Sequence, residues 1–351
     1  IKTKLINDSL SILENNDTFT YIKALDLACG RGGDLLKLIN TNFIDNNSNN
    51  SIKKNGGIKL ILGIDNSSVN IEYSEKYNNN ARGRYLEYKN DYINKSSNNK
   101  LPDIYENNNV YYITGDLSLY EDEDDIEESY EKIMNDLQYT NLTTNELLDN
   151  NDDFKERTIY DKTILDSINN KHSNNIDIFE NNQFEFIQCQ FAIHYFDLEA
   201  FCKYVDLQLK PGGVFVCTFM EKQYVNELFE KNNSDIVSGN FWSLRKSKTN
   251  PENKIDVKFG TLEGETYLEE NFVSENMLIE IFKQYNINPY IDTMSQIVSF
   301  NSAINPILNF RDYVNETDAE FEFNKLYKGI IFQKNLQNST TKEQIKKLVK
   351  K

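Results

Sequence analysis

The sequence predicts an α/β protein built on an open, mostly parallel sheet with helices on both faces, and three observations lead to this prediction. Short apolar runs recur along the chain and are typical of buried strands, as in IKLILGI at 58–64. Helical patterns such as 67–82 and 197–209 separate several of these runs, as the crossovers between parallel strands require. The first run ends in a glycine-rich turn, CGRGGD, that opens a further helical pattern. Together these features indicate a doubly wound, Rossmann-like sheet.

The predicted strands are separated along the chain by helical patterns and by polar segments. The apolar runs predicted as parallel strands are 22–28, 58–64, 110–114, 184–190 and 214–219. A proline–glycine turn, LKPGG at 209–213, precedes the fifth run, and a late strand is expected at 326–333 after a helix at 274–285. We therefore expect one domain over 1–333, with a segment at about 220–320 that covers the site, and a basic tail at 334–351.

Three tracts read as insertions into this pattern, because they are rich in Asn, Ser or acidic residues and have little apolar periodicity. They span 41–57, 89–109 and 120–182. Such tracts bury too little apolar area to offset the entropy of ordering, so loops are the default expectation. Part of 121–148 has apolar residues at three- and four-residue steps and could form an amphipathic helix. What the inserts bind stays open.

Composition excludes some classes of protein and leaves others open. No apolar stretch approaches the roughly 20 residues of a membrane span, and the first residues lack a secretory pattern. Four scattered cysteines and two histidines argue against a zinc site and favour reduced, intracellular thiols.

The net charge is −17, but residues 121–161 alone contribute fifteen acidic against three basic side chains, which leaves a net charge of −5 for the rest of the chain. The acidity therefore does not exclude a nucleic-acid partner. The chain begins at Ile1, so an upstream segment with a further activity is left open.

The glycine-rich turn is the first candidate binding site, since ligands of such sheets bind beyond the carboxyl ends of the strands. A nicotinamide fingerprint would need a third glycine where Leu35 stands, and the lysine of a phosphate-binding Walker loop is also absent. Asp26 and Asp34 flank the turn instead. Carboxylates there suit a cationic amino-acid group better than a phosphate.

Two further acids follow the next strands. Asp65 ends the second strand and, once the insert is subtracted, stands near the spacing of ~20 residues expected for a ribose-binding acid. Asp116, in TGDLS after the third strand, could accept from an adenine amino group. Acids after three successive strands, together with the glycines, fit S-adenosylmethionine.

Five segments carry a more specific resemblance. LDLACGRGGDLL, GIDNSSVNIE, GDLS, FIQCQFAIHYF and LKPGGVF together resemble the eukaryotic mRNA cap guanine-N7 methyltransferases. The pairing of CQFAIHY with GRGGDL is characteristic, whereas either piece alone would indicate only a methyltransferase. The similarity covers most of the chain outside the three inserts and is weakest over 220–320. It implies the class I methyltransferase fold, with a seven-stranded sheet, and methyl transfer from S-adenosylmethionine to N7 of the cap guanine.

The resemblance also implies roles for individual residues. The cofactor would be held by Lys2, Asp26, Gly30, Gly32, Asp34, Asp65, Asp116, Leu117, Gln190 and Phe191. The cap would be held by Arg31 at the triphosphate and by His194, Tyr195, Glu270 and Tyr327 around the guanine. Because N7 carries an available lone pair, no residue is expected to act as acid or base, and catalysis would come from positioning. No metal is expected.

The sequence departs from the family at three places. Met220 stands where the family has a proline, and the context of Glu270 is so altered that Glu269 is an alternative. A family arginine falls near Tyr77, which leaves Lys76 or Arg82 as substitutes for a phosphate contact.

Two rival functions and several cellular expectations accompany this prediction. One rival is a methyltransferase of the same fold acting on a small molecule, which would not require Arg31, Glu270 or Tyr327. The other is a catalytically silent cap-binding subunit. If the resemblance holds, the partner is the capped 5′ end of an RNA, without membrane contact. The chain would then act in the nucleus as a monomer and contact other capping or transcription components.

Overall fold

The chain folds around a central twisted sheet, seen here in a computed structural model. The structure describes residues 2–14, 22–40, 58–71, 79–95, 110–114, 184–259, 266–290, 306–312 and 323–336. The predicted sites Asp116 and Leu117 lie outside the described residues, as do the inserts at 41–57 and 120–182 and the tail beyond 336.

Twelve strands are described. They are Ile22–Leu27 (β1), Ile58–Asp65 (β2), Val110–Thr114 (β3), Phe184–Gln190 (β4), Leu209–Met220 (β5), Ile236–Ser238 (β6), Trp242–Lys246 (β7), Lys254–Phe259 (β8), Leu268–Asn271 (β9), Ile287–Pro289 (β10), Ile307–Asn309 (β11) and Tyr327–Lys334 (β12). The main sheet has eight strands: seven have the order β3-β2-β1-β4-β5-β12-β10, and β11, which also pairs with β12, is an eighth beyond the seven predicted. Strands β1 to β5 are parallel, while β12 runs antiparallel to β5. This order confirms the predicted Rossmann-like fold of class I methyltransferases.

Helices cover both faces of the main sheet. They are Lys2–Glu14 (α1), Leu35–Asn40 (α2), Ser68–Ile71 (α3), Ala81–Lys95 (α4), Leu198–Gln208 (α5), Lys222–Asn232 (α6) and Glu275–Gln284 (α7). On one face, Leu5 and Leu10 of α1 share a core with Phe186 and Val216. On the other face, α5 and α7 pack phenylalanines against Phe215 and its neighbours. Alternate residues of each strand point to opposite faces, so a strand apolar on both faces is buried on both.

The local elements differ from the sequence prediction in three places. The pattern at 67–82 is split into two helices, because the Asn80 side chain accepts from Gly83 N at 2.7 Å and starts α4 afresh. That helix then continues to Lys95, inside the insert predicted to begin at 89, and Asn90 and Asp91 are exposed. The LKPGG turn is part of β5, which begins at Leu209 with an irregular register opposite β4.

A second, smaller sheet is formed by β6, β7, β8 and β9 in antiparallel order, within the predicted cover segment. Its two faces differ in character. On the inner face, Glu270 lies opposite Ile255 and shares the surface with buried Leu244. On the outer face, Glu269 lies opposite Asp256. Successive residues of a strand point to opposite sides, so these adjacent glutamates cannot share a site. Within the described residues, no helix has the length and apolarity needed to span a bilayer.

Candidate cofactor and acceptor site

Left-handed backbone conformations mark the carboxyl ends of β1 and β4. Ala28 and Phe191 have φ of 52° and 61°, and Gly30 and Gly32 have φ of 54° and 66°. Such conformations are uncommon for residues other than glycine and concentrate at functional sites. At Gly32 a side chain is also excluded by space, because a Cβ would lie 2.9 Å from the Tyr112 hydroxyl. The turn is therefore shaped to bring backbone close to a ligand.

Asp65, at the end of β2, holds this turn in place. Its Oδ2 accepts from Gly30 N at 2.8 Å. Its Oδ1 accepts from Ser67 N at 3.0 Å and from the Asn70 amide at 3.1 Å. A carboxylate has about four acceptor positions, so one remains for a ligand hydroxyl. Asp65 thus joins the ends of β1 and β2 and stands where the sequence predicted the ribose-binding acid.

Asp34 lies between two lysines at the start of α2. Its Oδ2 accepts from Lys2 Nζ at 3.0 Å, and its Oδ1 accepts from Lys37 Nζ at 2.6 Å. Burial raises the pKa of Asp34, but the two ammonium groups outweigh it and hold the pKa below its usual range. Asp34 is therefore ionised at neutral pH. Through Lys2 it also fixes α1 over the site.

Asp26 lies deeper, inside β1. Burial and, after it, the nearby charge of Asp34 raise the pKa of its carboxyl to about 7, so the group is partly protonated at neutral pH. Gln188 is its register partner on β4, and its amide acts on this pKa in the opposite direction. Two carboxyl groups in one cleft thus have their pKa values moved apart, which is common at functional sites.

The residues present fit S-adenosylmethionine. In the part of the chain that the structure describes, neither amide atom of buried Gln190 has a hydrogen-bond partner, although it stands beside the turn at the end of β4. An unpaired buried amide is costly and indicates a missing polar ligand. The Asp26 and Asp34 carboxyls suit the cofactor's ammonium and sulfonium, and Lys2 suits its carboxylate. Among the described residues, no cluster of metal-ligating side chains is present.

Phe191 connects this cofactor site to a second pocket. The Lys2 ammonium lies 4.6 Å from the centre of its ring. On its other side, Phe191 meets the Tyr327 ring edge-to-face at 4.8 Å, and Phe310 at 5.8 Å. Rings at these distances and angles are in favourable contact. An aromatic wall therefore runs from the cofactor loop to the start of β12.

At the far end of this wall stands a buried carboxyl group. His194 Nε2 lies 3.4 Å from Glu270 Oε2, and the Tyr195 hydroxyl is close enough to the same carboxyl group to act on its pKa. Burial raises the pKa of Glu270 to about 7 and lowers the pKa of His194 to about 4. The imidazole is therefore neutral at pH 7. Within the described part of the chain, His194 Nδ1 has no hydrogen-bond partner.

The tyrosines mark the depth of this pocket. Tyr327 is 5 % exposed, whereas Tyr195 is 51 % exposed and lies at the opening. Burial, followed by the charge of Glu270, raises the pKa of both hydroxyls, which stay protonated. Glu269 points away from the pocket: Lys254, Thr249 and Ser247 hydrogen-bond it and hold its pKa at about 2. Of the two glutamates left open by the sequence, the structure brings only Glu270 to the pocket.

Basic side chains surround the turn on its solvent side. Arg31 is exposed, and its Nε donates to Asn70 at 3.3 Å. Arg82 donates to the Tyr112 carbonyl at 2.9 Å, so its guanidinium braces β3, and Lys76 lies outside the described residues. Arg84 is the residue that sequence reasoning missed.

Arg84 lies beside the glycine turn, since its Nη1 would be 3.5 Å from a Cβ on Gly33. Its Nε donates to Asn79 in an exposed position. Residues two apart on a helix point about 200° apart, so Arg82 and Arg84 cannot face the same neighbour. The helical period could have shown that Arg82 and Arg84 point in different directions. The predicted helix ended at 82, however, and so did not include Arg84.

Comparisons with known proteins give structural likenesses only. No family model matches the chain, and no curated protein matches it. It is similar to a S-adenosylmethionine-dependent methyltransferase from Clostridium acetobutylicum, with 13% identity, 95% and 93% of the two chains covered and a TM-score of 0.41. It is also similar to the CcbJ methyltransferase from Streptomyces caelestis, with 9% identity, 95% of each chain covered and a TM-score of 0.41.

A third likeness is to geranyl diphosphate C-methyltransferase from Streptomyces coelicolor, solved in complex with S-adenosyl-L-homocysteine. The two sequences are 9% identical, the alignment covers 93% of the present chain and 78% of the geranyl diphosphate enzyme, and the TM-score is 0.38. At such scores the assignment of this chain rests on its own strand order and site. These define a Rossmann-like α/β fold with the strand order of the class I methyltransferase fold.

Proposed function

We propose that this chain binds S-adenosylmethionine and transfers its methyl group to N7 of the guanine in an RNA cap. One observation carries the proposal. Contacts run from Asp34 through Lys2 and Phe191 to Tyr327, and the charge of Glu270 reaches the Tyr327 hydroxyl and raises its pKa, so the acidic cofactor site and a buried, aromatic, carboxyl-bearing pocket are adjacent.

The acceptor pocket has the groups that a guanine requires. Guanine presents two adjacent donors, N1–H and the exocyclic amine, and a single carboxylate can accept from both. Glu270 is the buried carboxyl that can do so. Phe191 and Tyr327 supply aromatic surface for a purine, and Tyr195 stands at the opening.

Transfer to N7 needs no base, because the attacking lone pair is already available. When bound, the cofactor supplies an activated methyl group as a sulfonium. The residues of this chain orient the acceptor and exclude water, which is catalysis by proximity. His194, with its lowered pKa, is neutral and serves as a pocket wall. As the guanine becomes cationic, the charge of Glu270 interacts more strongly with it in the transition state than in the ground state.

The triphosphate of the cap would meet Arg31 and Arg84 on the rim of the glycine turn. Arg31 is exposed and Arg84 half-buried, and each donates to a neutral asparagine side chain. Arginine binds phosphate oxygens through paired, charge-assisted hydrogen bonds. A small-molecule acceptor without phosphates would gain nothing from this rim. With this activity we also expect a monomer that acts in the nucleus beside other capping or transcription components.

The test offers labelled S-adenosylmethionine together with GpppG-capped RNA, GTP and small amines. We expect methylation of the capped RNA at N7. Glu270→Ala should lose most of that methylation while retaining cofactor affinity, and Glu269→Ala is the matched control, since its side chain faces the other side of β9. Methylation of a small amine alone would support the small-molecule rival. Cofactor binding without turnover would support the silent subunit.

A further inference from the structure

The small sheet that carries Glu270 is attached to the main sheet around Glu221, the residue that follows β5. Glu221 N donates to the Leu326 carbonyl at 2.8 Å, just before β12. Glu221 also forms an isolated parallel bridge with Val273, and Lys222 N donates to the Val273 carbonyl at 2.9 Å. The chain entering α6 and the chain leaving β9 thus meet at the start of β12.

The side chains at this junction form a largely buried group of three charges. Glu221 Oε2 lies 3.3 Å from Lys328 Nζ and accepts from Glu275 N at 3.1 Å. Lys328 Nζ also binds Glu275 Oε2 at 3.0 Å. The Glu221 and Lys328 side chains are 4% and 11% exposed. One ammonium therefore holds two carboxylates, from the end of β5 and from the first turn of α7, against β12.

The junction is directly linked to the acceptor pocket along the chain. Lys328 immediately follows Tyr327, and Val273 lies three residues after Glu270. Tyr327 is carried by the main sheet, whereas Glu270 is carried by the small one. The relative placement of these two pocket residues therefore depends on how the two sheets are joined.

We propose that the Glu221–Lys328–Glu275 ion triad is a positioning device that sets the placement of Glu270 against Tyr327 in the acceptor pocket. The inference rests on the proposed function, whose acceptor is the cap guanine. The three residues act through Glu270 and Tyr327 and do not touch the acceptor. The cofactor site has contacts of its own, Lys2 with Asp34 and Gly30 N with Asp65, and we expect these to persist when the triad is broken.

Lys328→Met tests the device, because it removes the cation and leaves two carboxylates facing each other. Breaking a buried ion pair on one side leaves an uncompensated charge, so the junction should open. We expect the acceptor KM to rise about tenfold, since displacement of a pocket group by a fraction of an ångström has effects of this size. The Kd for S-adenosylmethionine should change by no more than about twofold. Such a change in binding free energy is well below the roughly 1.4 kcal/mol that a tenfold change in Kd represents.

Lys334→Met is the matched control. Lys334 is a second largely buried lysine on β12 that pairs with a carboxylate, Asp206 Oδ1, at 2.6 Å. It lies at the other end of the strand from Tyr327. Its loss should lower thermal stability as Lys328→Met does, without a change in the acceptor KM.

A second readout does not require turnover. The chain contains only two histidines, His172 and His194, so imidazole resonances in a labelled sample are simple to resolve. His194 Nε2 lies 3.4 Å from Glu270, and its chemical shifts at pH 7 report on that contact. We expect Lys328→Met to move the His194 resonances and Lys334→Met to leave them in place. If capped RNA is not methylated by the wild-type protein, the proposed function fails, yet this measurement still tests the device.

Glu221→Gln serves as the second variant, should Lys328→Met not fold. It keeps the shape of the side chain and one acceptor oxygen, and we expect about a threefold rise in acceptor KM together with a smaller shift of the His194 resonances. The inference is overturned if the Lys328 and Glu221 variants resemble Lys334→Met, with lower stability but unchanged His194 resonances. It is also overturned if cofactor and acceptor constants change equally.

Discussion

Glu270→Gln should make the protein more stable and less active, with an effect on stability that depends on pH. The wild-type carboxyl has its pKa raised from the ordinary value of 4.5 to about 7 by burial. A carboxyl with a raised folded-state pKa stabilises the folded state fully below the unfolded value. That contribution is lost progressively as the pH rises from about 4.5 to about 7.

The magnitude follows from the size of this change. Each tenfold difference in proton affinity is worth about 1.4 kcal/mol, so the wild type should lose roughly 3 kcal/mol of stability relative to Glu270→Gln between pH 4.5 and 8. The amide has no ionised form and keeps its hydrogen-bonding shape. Above about pH 7 the difference between the two proteins should be constant, because the wild-type group is then ionised.

The assay is urea unfolding of both proteins at pH 5 and pH 8, with Glu269→Gln as the control. Glu269 is exposed to solvent, and its pKa is low, so its variant should show no such gain at pH 8. In methylation assays, Glu270→Gln should lose about 10- to 100-fold in kcat/KM, the value of a charge-assisted hydrogen bond. Equal stability of wild type and Glu270→Gln at both pH values would refute the argument that burial governs this carboxyl.

Three further predictions concern the cofactor site and its rim. Arg84→Ala should raise the KM for capped RNA about fivefold or more and weaken its salt dependence, while the KM for S-adenosylmethionine stays constant, as measured at two ionic strengths. Asp65→Asn should weaken cofactor binding in calorimetry about tenfold, because its anionic contact to Gly30 N is replaced by a neutral one. Cofactor affinity should rise with pH between 6 and 8, because Asp26 has a pKa of about 7 and a bound cation favours its ionised form. Proton release on binding, absent in Asp26→Asn, would show this, and a pH-independent Kd in the wild type would contradict it.

Much of the fold could be predicted from local sequence, because buried parallel strands are nearly continuous apolar runs. The strands 110–114 and 184–190 were placed at the residues that the structure gives, and the glycine turn was placed directly after β1, where two of its glycines have left-handed backbone. Helix boundaries were less accurate, since a single side-chain cap at Asn80 starts α4 and periodicity alone does not show it. The roles of Asp116 and Leu117 stay predictions, as both lie outside the described residues.

The sequence by itself determined which groups stand at the ends of the parallel strands, because the period of a strand and the direction of the sheet bring those ends to one edge. Only the tertiary structure decided between Glu269 and Glu270, since that choice depends on which face of β9 packs inward. It also separated Arg82 from Arg84 and gave Asp26 and Glu270 their raised pKa values, which depend on burial by distant segments. Spacing along a chain fixes the chemistry that is available at a strand end. The direction in which each side chain points, and the water that reaches it, are fixed by packing across the fold.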